Sequence, residues 1–386
     1  MTTKVRLSPP VITPEDRKCV CAALECTKIV DGPAVGEFER AVAARLGGEG
    51  VALISGTAAL HLALVAVGVG PSDLVAMPSL TFVAPAHVAR YVGADPLLFD
   101  SEPNYRQLDA DGLIAWLQEE CESDGKIAIH TATRRRIGAI VSVDLLGHPC
   151  DIGLLADVAR GMGIPVVEDA AQGFGATLRG RPVGAHADVT CLSFNANKIV
   201  TSGGGGMLLS KKAAVVERVR HLANQAKQDG PNYIHDEVGF NYRLPSAQAA
   251  LGLAQFGRFD QILEEKARMA AFYEDALADI PGLTMPRRSP EATVSNWLFT
   301  VDVDPELFGH TAHGLMSLLA ERHEVETRPI FTPLHMCGAY RGLQAGECPV
   351  AESLAATGLS LPSSVDISDE DLECVCEGIR SEAAGA

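Results

Sequence analysis

The chain contains 386 residues, which is enough for two or three domains and a large hydrophobic core. Hydrophobic residues make up 47% and charged residues 21% of the sequence, a composition typical of folded globular proteins that excludes intrinsic disorder, collagen and coiled coil. The formal net charge is −17, and this acidic balance argues against a general nucleic-acid binder or a protein held on anionic membranes, since both need a basic surface.

Two helices are predicted before the first strand. The first begins at Pro14, with Thr13 as its N-cap, and extends to about Ile29; the second carries an apolar stripe that includes Phe38 and Val42. Apolar runs then predict seven buried strands, at 51–54, 74–78, 96–99, 137–143, 165–168, 189–194 and 207–209. Helical stretches between several of these runs lie at 58–67, 85–91 and 152–162. This alternation predicts an α/β domain with a largely parallel sheet that is covered on both faces.

The pattern changes after about residue 245. A long helix is predicted from Pro245-Ser246 to about Ala278. After it come a strand at 297–303, a helix at 311–322, a strand leading to Arg328-Pro329 and a last helix capped by Ser368. We therefore expect a large domain over residues 1–249 and a smaller C-terminal α+β domain over residues 250–386, which includes the long connecting helix.

No segment of the sequence predicts a leader, a membrane span or a metal site. Met1–Pro10 lacks an apolar stretch, and glycines and Pro71 interrupt the uncharged run Gly50–Ser72. The ten cysteines lack the spacing of a disulfide framework and are expected to be reduced. His310 and His313 have no nearby Cys or acidic partner, so no metal is expected there. These features predict a cytoplasmic protein without a metal, a nucleic-acid partner or a membrane partner.

Two candidate functional groups follow predicted strands between residues 166 and 206. Asp169 ends one strand, and Lys198 follows the next. Functional groups gather at the carboxyl ends of strands in open α/β sheets, although a strand-end acid is as often a helix cap and a lone lysine is usually a surface charge. The run Thr201–Gly206 comes after the lysine rather than before it, which excludes a P-loop. Its four glycines indicate either a flexible joint or a backbone that passes close to another group.

A phosphate site is predicted at Ser55-Gly56-Thr57, where a strand passes into a helix, because free backbone N–H groups and the helix dipole favour an anion there. Phe82, near the end of the next strand, is either a core residue or a flat ring for a cofactor. A phosphate cradle, an aromatic ring, a strand-end carboxylate and a lysine together match the requirements of pyridoxal 5'-phosphate (PLP). The lysine would hold this cofactor covalently, and the carboxylate would keep its ring nitrogen protonated.

Further motifs extend this match along the chain. They are Gly32-Pro33, Phe38-Glu39, Ser55-Gly56-Thr57-Ala58-Ala59-Leu60, Glu168-Asp169-Ala170-Ala171-Gln172, Ser193-Phe194-Asn195-Ala196-Asn197-Lys198, Thr201–Gly206, Gly239-Phe240-Asn241-Tyr242-Arg243-Leu244, and Thr327-Arg328-Pro329 through Pro333-Leu334-His335. From about Leu7 to Ile379 the chain resembles the DegT/StrS family of PLP-dependent nucleotide-sugar aminotransferases. The resemblance implies fold type I, an α/β fold in which a large domain with a mostly parallel seven-stranded sheet between helices precedes a smaller C-terminal α+β domain.

The resemblance also implies a role for each candidate residue. Lys198 would bind the cofactor and move protons between Cα of the amino donor and C4′ of PLP, and Asp169 would pair with the pyridine nitrogen. The other implied cofactor contacts are Gln172 near O3′, Phe82 on the ring face, and Gly56, Thr57 and Ser193 at the phosphate. Asn241 would reach the phosphate of the neighbouring subunit, which implies a homodimer with shared active sites. Arg328 and His335 are candidates for the sugar nucleotide or the donor carboxylate, or else ordinary loop residues.

The implied activity is transfer of the amino group of L-glutamate to a nucleotide-linked 4-keto-6-deoxy sugar. The lysine segment with its four glycines and the stretch 328–335 are most similar to the subgroup that acts on UDP-linked 4-keto sugars in legionaminic acid and bacillosamine pathways. The product would be a 4-amino sugar nucleotide for glycan or nonulosonic acid biosynthesis. Two alternatives stay open: a PLP-dependent sugar dehydratase or aromatising synthase of the same fold, and a non-catalytic sensor subunit. Lys198 argues against a dehydratase, because some dehydratases of the family have histidine at this position.

Overall fold

The computed structural model describes residues 4–26 and 28–383. The helices in this part of the chain are α1 Pro14–Glu25, α2 Pro33–Leu46, α3 Gly56–Ala66, α4 Ala84–Tyr91, α5 Ala110–Glu120, α6 Gly153–Gly161, α7 Ala213–Ala223, α8 Ser246–Phe256, α9 Phe259–Leu277, α10 Pro305–Phe308, α11 Ala312–Arg322, α12 Pro349–Thr357 and α13 Asp369–Ser381. The strands are β1 Glu49–Leu53, β2 Leu74–Pro78, β3 Asp95–Phe99, β4 Cys121–Ser123, β5 Ala128–His130, β6 Ile137–Val143, β7 Val166–Asp169, β8 Thr177–Leu178, β9 Arg181–Pro182, β10 Val189–Ser193, β11 Gly206–Ser210, β12 Leu283–Thr284, β13 Ala292–Thr293, β14 Thr300–Val303, β15 Arg328–Pro329 and β16 Gly358–Ser360. Within these described ranges, no helix has both the length and the apolar character needed to cross a membrane.

Seven strands form the central sheet, in the order β1-β11-β10-β7-β6-β2-β3. From β10 to β3 all neighbours pair in parallel, whereas β11 pairs antiparallel with both β10 and β1. Strand β1 therefore points the same way as the five parallel strands, and β11 is reversed. The predicted α/β fold with a mostly parallel seven-stranded sheet is confirmed.

Side chains of the central sheet alternate between its two faces, as the two-residue period of a strand requires. In β2, Val75 and Met77 pack in the core beneath α3, α4 and α7, whereas Leu74 and Ala76 belong to the core beneath α5 and α6. Every residue of β2 and of β6 is buried. Because helices cover both faces, these strands are continuous apolar runs rather than alternating patterns.

The C-terminal part of the chain has its own antiparallel sheet, in the order β12-β14-β16-β15. This sheet packs against α9, α11 and α13 around buried residues such as Phe299 and Leu315. Helix α9 connects the two cores: Phe259 belongs to the core beneath α2, and Tyr273 to the core of the small sheet. The domain boundary predicted between residues 249 and 250 falls inside α8 and stays a prediction.

The single long helix predicted from residue 246 to about 278 was wrong. The structure has two helices there, with Gly257 and Arg258 between them. The Arg258 side chain donates a 2.8 Å hydrogen bond to the buried carboxylate of Asp16 on α1. Glycine has low helix propensity, and this tertiary ion pair holds the break in place. The break allows α8 to remain against the large core while α9 runs toward the small sheet.

Two other element ends also differ from the prediction. Helix α1 ends at Glu25 rather than near Ile29, whose carbonyl oxygen accepts a 2.8 Å hydrogen bond from the N–H of Ser246 on α8. Strand β14 begins at Thr300 rather than at residue 297. Residues 297 and 298 form a bend, and pairing with β16 begins only at Thr300. In both cases the local apolar pattern is longer than the regular secondary structure.

Candidate active site

Strands of the central sheet bring the predicted site residues to one edge. Strand β7 ends at Asp169 and β10 ends at Ser193, and the two strands pair in parallel. Strand β1 leads into Ser55-Gly56-Thr57 at the start of α3, and β2 leads into the segment that contains Phe82. Because the carboxyl ends of strands that run in one direction lie at the same edge of a sheet, these groups lie along one edge.

The turn from β1 into α3 is shaped to bind an anion. Ser55 caps the helix by accepting a 3.0 Å hydrogen bond from the N–H of Ala58. Gly56 and Thr57 are the first helical residues, so their N–H groups have no acceptor within the helix. A Cβ atom on Gly56 would lie 2.8 Å from the Cβ of Ser193, so the absence of a side chain lets that serine approach the turn. Two free N–H groups, a helix N-terminus and a hydroxyl fit the phosphate of PLP.

The glycines after Lys198 have different structural reasons. A Cβ atom on Gly206 would lie 2.5 Å from the backbone nitrogen of Gly56, so β11 can pass this close to the turn only with glycine there. Gly203 and Gly205 have φ values of +77° and +136°, a region that residues with a side chain rarely adopt. Close backbone approach therefore explains Gly206, and the positive φ values explain Gly203 and Gly205.

Asp169 occupies a buried position at the end of β7. The N–H of Ala171 donates a 3.1 Å hydrogen bond to its Oδ1. Burial raises the pKa of the Asp169 carboxyl to about 6, although the bond from Ala171 and the charge of Lys198 both act to lower it. A nearby positive charge favours the ionised form of this carboxyl, so opposite a protonated ring nitrogen Asp169 would be negatively charged and would stabilise that proton.

Lys198 lies in a tight turn after β10. Its backbone N–H donates a 3.0 Å hydrogen bond to the carbonyl of Asn195. Burial lowers the pKa of the Lys198 amine to about 8, and the negative charge of Asp169 opposes this change. A larger share of the amine is therefore neutral near neutral pH than in an exposed lysine, as a nucleophile or a proton acceptor requires.

Gln172 is held by two backbone contacts. Its Oε1 accepts a 2.8 Å hydrogen bond from the N–H of Leu146, and its carbonyl oxygen accepts a 2.6 Å bond from the hydroxyl of Ser295. Leu146 has a φ of +57°, a strained backbone for a leucine. With the amide oxygen occupied, the amide N–H₂ of Gln172 is the group that can donate to a cofactor oxygen.

Phe82 and Asn241 are exposed. Phe82 is 53% exposed, and its ring centroid lies 5.9 Å from that of Phe331. Asn241 belongs to a segment that runs beside β1, where the N–H of Ile54 donates a 2.8 Å hydrogen bond to the carbonyl of Tyr242. The structure thus leaves one face of the Phe82 ring available, and it shows no contact between Asn241 and the other site residues.

Arg328 and His335 lie in the C-terminal part of the chain and have different environments. Arg328 is exposed on β15 and forms a 2.7 Å ion pair with Glu326. His335 is buried between two side chains: Nδ1 lies 2.6 Å from the hydroxyl of Ser79, and Nε2 lies 3.0 Å from Glu352. Both ring nitrogens of His335 are therefore engaged within the chain, whereas the Arg328 guanidinium is exposed.

Sequence reasoning missed two residues at this site, Asp144 and Trp297. Asp144 directly follows β6, so the strand-end signal that identified Asp169 applies to it as well. Its side chain is fully buried, and among the described residues its Oδ2 atom has no hydrogen-bond partner. Burial and the charge of Glu168 raise the pKa of Asp144 well above its usual range. Trp297 contacts Lys198 from a part of the chain that no local pattern connects to it.

Comparison with known proteins places this site in a family. The model of the DegT/DnrJ/EryC1/StrS aminotransferase family matches residues 10–380. GDP-perosamine synthase of Caulobacter vibrioides is 34% identical over 375 residues, which cover 96% of each protein. The putative pyridoxal phosphate-dependent aminotransferase EpsN of Bacillus subtilis is 34% identical over 388 residues, covering 98% of this chain and 95% of EpsN. The crystal structure of the aminotransferase TlmJ of Streptoalloteichus hindustanus has a TM-score of 0.88 at 27% identity and covers 98% of both chains.

The similarity extends over both sheets and over every strand that contributes to the site. It agrees with the chemistry at the edge of the central sheet, where a lysine, a buried carboxylate and a phosphate cradle occur together. The predicted PLP cofactor and the predicted sugar-nucleotide aminotransferase class are confirmed. The chain belongs to the DegT/DnrJ/EryC1/StrS aminotransferase family.

Proposed function

We propose that this enzyme transfers the amino group of L-glutamate to the C4 carbonyl of a 4-keto-6-deoxy sugar linked to a nucleoside diphosphate. The observation that supports this proposal is the position of Lys198 and Asp169 at one sheet edge, beside the anion cradle of Gly56, Thr57 and Ser193. The product is a 4-amino sugar nucleotide for glycan or nonulosonic acid biosynthesis.

Each residue of the site has a defined task in this proposal. When bound, PLP supplies an electron sink that allows the donor to release its α-hydrogen as a proton. Lys198 carries that proton between Cα of the donor and C4′ of the cofactor, and its lowered pKa suits the transfer. Asp169 keeps the pyridine nitrogen protonated. Gln172 donates a hydrogen bond near O3′, and Phe82 covers one face of the ring.

Two nucleotides are candidates for the sugar substrate. The lysine segment and its four glycines favour UDP, as in the subgroup that they resemble. The name of the Caulobacter relative, GDP-perosamine synthase, favours GDP. Arg328 is the proposed contact for the diphosphate or for the carboxylate of glutamate, because its guanidinium is exposed and matches both groups in geometry. His335 is the weaker of the two proposed substrate contacts because its ring nitrogens are already bonded.

A homodimer with shared active sites is part of the proposal. Large apolar side chains are exposed: Phe82 is 53% exposed, and Tyr233 and Val238, in the segment that precedes Asn241, are 85% and 84% exposed. Burying such surface is favourable, and a second copy of the chain would cover it. In this arrangement Asn241 of the partner subunit donates its side-chain amide to the phosphate, and the exposed position of Asn241 in this chain is consistent with that role.

The experiment has two arms. Borohydride reduction of the PLP-loaded enzyme, followed by peptide mapping, should locate the cofactor on Lys198; a label on another residue would refute this site.

The second arm incubates UDP-, GDP- and dTDP-linked 4-keto sugars with L-glutamate and reads the products by mass spectrometry. Replacement of the carbonyl oxygen by an amino group supports the proposal and identifies the nucleotide. Loss of a hydroxyl without gain of nitrogen would indicate the dehydratase alternative, and bound PLP without any product would indicate the sensor.

A further inference from the structure

Trp297 makes two contacts with the segment that carries Lys198. The Nζ atom of Lys198 lies 3.8 Å from the centre of the indole ring, over its face. The indole N–H donates a 2.7 Å hydrogen bond to the carbonyl oxygen of Asn197, the residue before the lysine. Trp297 is 4% exposed, so both contacts are shielded from water. One side chain therefore fixes the backbone beside the lysine and also offers a surface to its amine.

Lys266 holds Trp297 from the other side. Its amine donates a 3.0 Å hydrogen bond to the carbonyl oxygen of Trp297 and a second hydrogen bond to the carbonyl oxygen of Ser363. Lys266 is 2% exposed, and its burial lowers the pKa of the amine to about 7. A buried lysine is costly unless its amine is bonded, so these two carbonyl groups fix its position. Lys266 lies on α9, the helix that connects both cores, so this helix holds the backbone of Trp297.

The space around these groups is small. A cavity of about 20 Å³ lies between the lysine segment and α9, and its lining includes Asn197, Lys198 and Lys266. This volume is enough for roughly one water molecule. The segment therefore has little room to move toward α9.

We propose that Trp297 is a positioning residue for Lys198 and that Lys266 fixes its place. The inference rests on the proposed role of Lys198, whose amine would hold PLP and would also move the proton between the donor and the cofactor. While the amine is free, the indole face holds it within reach of the site, most strongly in its protonated form. In the same state, the hydrogen bond from the indole N–H to the carbonyl of Asn197 holds the backbone of the turn that carries Lys198. Trp297 acts through Lys198 and not through a contact with either substrate.

A spectroscopic test needs no cofactor. The chain has two tryptophans, so Trp116→Phe leaves Trp297 as the single indole fluorophore. In this apoprotein the emission should change with pH around a midpoint of about 8, when the ammonium group over the ring loses its proton. The added change Lys198→Met should remove this transition, whereas any emission change from Lys266, whose pKa is about 7 and whose amine bonds to the carbonyl of Trp297, should remain. A third variant that also carries Lys266→Met removes this second source, and a transition near pH 8 that persists in it would overturn the inference. Because PLP is absent, this result is independent of the borohydride experiment that tests the proposed function.

A kinetic test separates positioning from substrate binding. Trp297→Leu should lower kcat about 10- to 100-fold, as expected for a misplaced reacting group, and leave KM for both substrates unchanged. Trp297→Phe keeps a ring but loses the bond to Asn197, so kcat should fall about fivefold; this variant carries the test if the leucine variant does not fold. The matched control is Trp116→Leu, since Trp116 is partly buried and its ring centroid lies 5.3 Å from that of Phe99. Unchanged kcat in both Trp297 variants, or a raised KM at normal kcat, would overturn the inference.

Discussion

The amine of Lys198 and the carboxyl group of Asp169 lie close enough for each charge to oppose the effect of burial on the pKa of the other group. Burial by itself favours the neutral form of both groups, because a charge is costly away from water. Their mutual attraction partly offsets that cost. The result is an acid and a base whose pKa values, about 6 and about 8, lie on either side of neutral pH.

The first prediction concerns the attachment of PLP to the apoprotein. Its rate should rise with pH through about pH 8, because the neutral amine of Lys198 is the nucleophile and forms above the pKa of this lysine. Stopped-flow absorbance measures the rate. Asp169→Asn removes the charge that raises this pKa, so its midpoint should lie at lower pH. A wild-type midpoint near the usual lysine pKa of 10.5 would contradict the effect of burial.

The second prediction concerns turnover in Asp169→Asn. This variant should bind PLP but transfer amino groups at least about 100-fold more slowly, because a neutral amide does not hold the ring nitrogen in its protonated form. Single-turnover absorbance changes with L-glutamate measure the effect. Asp157→Asn on α6 is the control, because that side chain is 72% exposed. Equal rates in Asp169→Asn and wild type would refute the role of the carboxylate.

The third prediction tests the phosphate cradle. Gly56→Ala should weaken PLP binding about tenfold or more, since the new Cβ would meet the Cβ of Ser193 at 2.8 Å and push the hydroxyl away from the turn. Equilibrium titration of the apoprotein with PLP measures the affinity. Gly70→Ala makes the same chemical change where a Cβ atom would meet nothing within 4 Å, and its affinity should match wild type. Wild-type affinity in Gly56→Ala would show that this turn does not bind the phosphate.

The fourth prediction concerns the pH dependence of stability. Burial raises the pKa of Glu168 from 4.5 to about 7, so its contribution to stability is present below pH 4.5 and is lost as the pH rises through about 7. Glu168→Gln keeps an acceptor for the 2.9 Å hydrogen bond from the N–H of Gly184 but carries no charge. Its Tm should therefore exceed that of wild type by more at pH 8 than at pH 5. Thermal unfolding measures this difference, and the exposed Glu119→Gln should show none. An equal Tm difference between Glu168→Gln and wild type at both pH values would contradict the cost of a buried charge at Glu168.

Much of the fold and the core of the site could be predicted because both depend on local patterns. Continuous apolar runs locate buried strands, and each strand end then identifies the residues that can reach the active edge of a parallel sheet. Asp169, Ser193 and Lys198 were found in this way, together with the turn at Gly56. Asp144 follows β6 and satisfies the same rule, but nothing in the sequence shows that it is buried or that its Oδ2 atom lacks a hydrogen-bond partner among the described residues.

The amino-acid sequence alone determined the α/β class, the cofactor and the family, because apolar strand runs, strand-end residues and motifs lie within short segments. Only the tertiary structure decided where the helix after Ser246 breaks and which side chains support Lys198. The hydrogen bond from Trp297 to Asn197 joins residues 100 positions apart, and the bond from Lys266 to Trp297 joins residues 31 positions apart. Such contacts depend on how the connecting helix packs between two cores, and packing has no local signature in the chain.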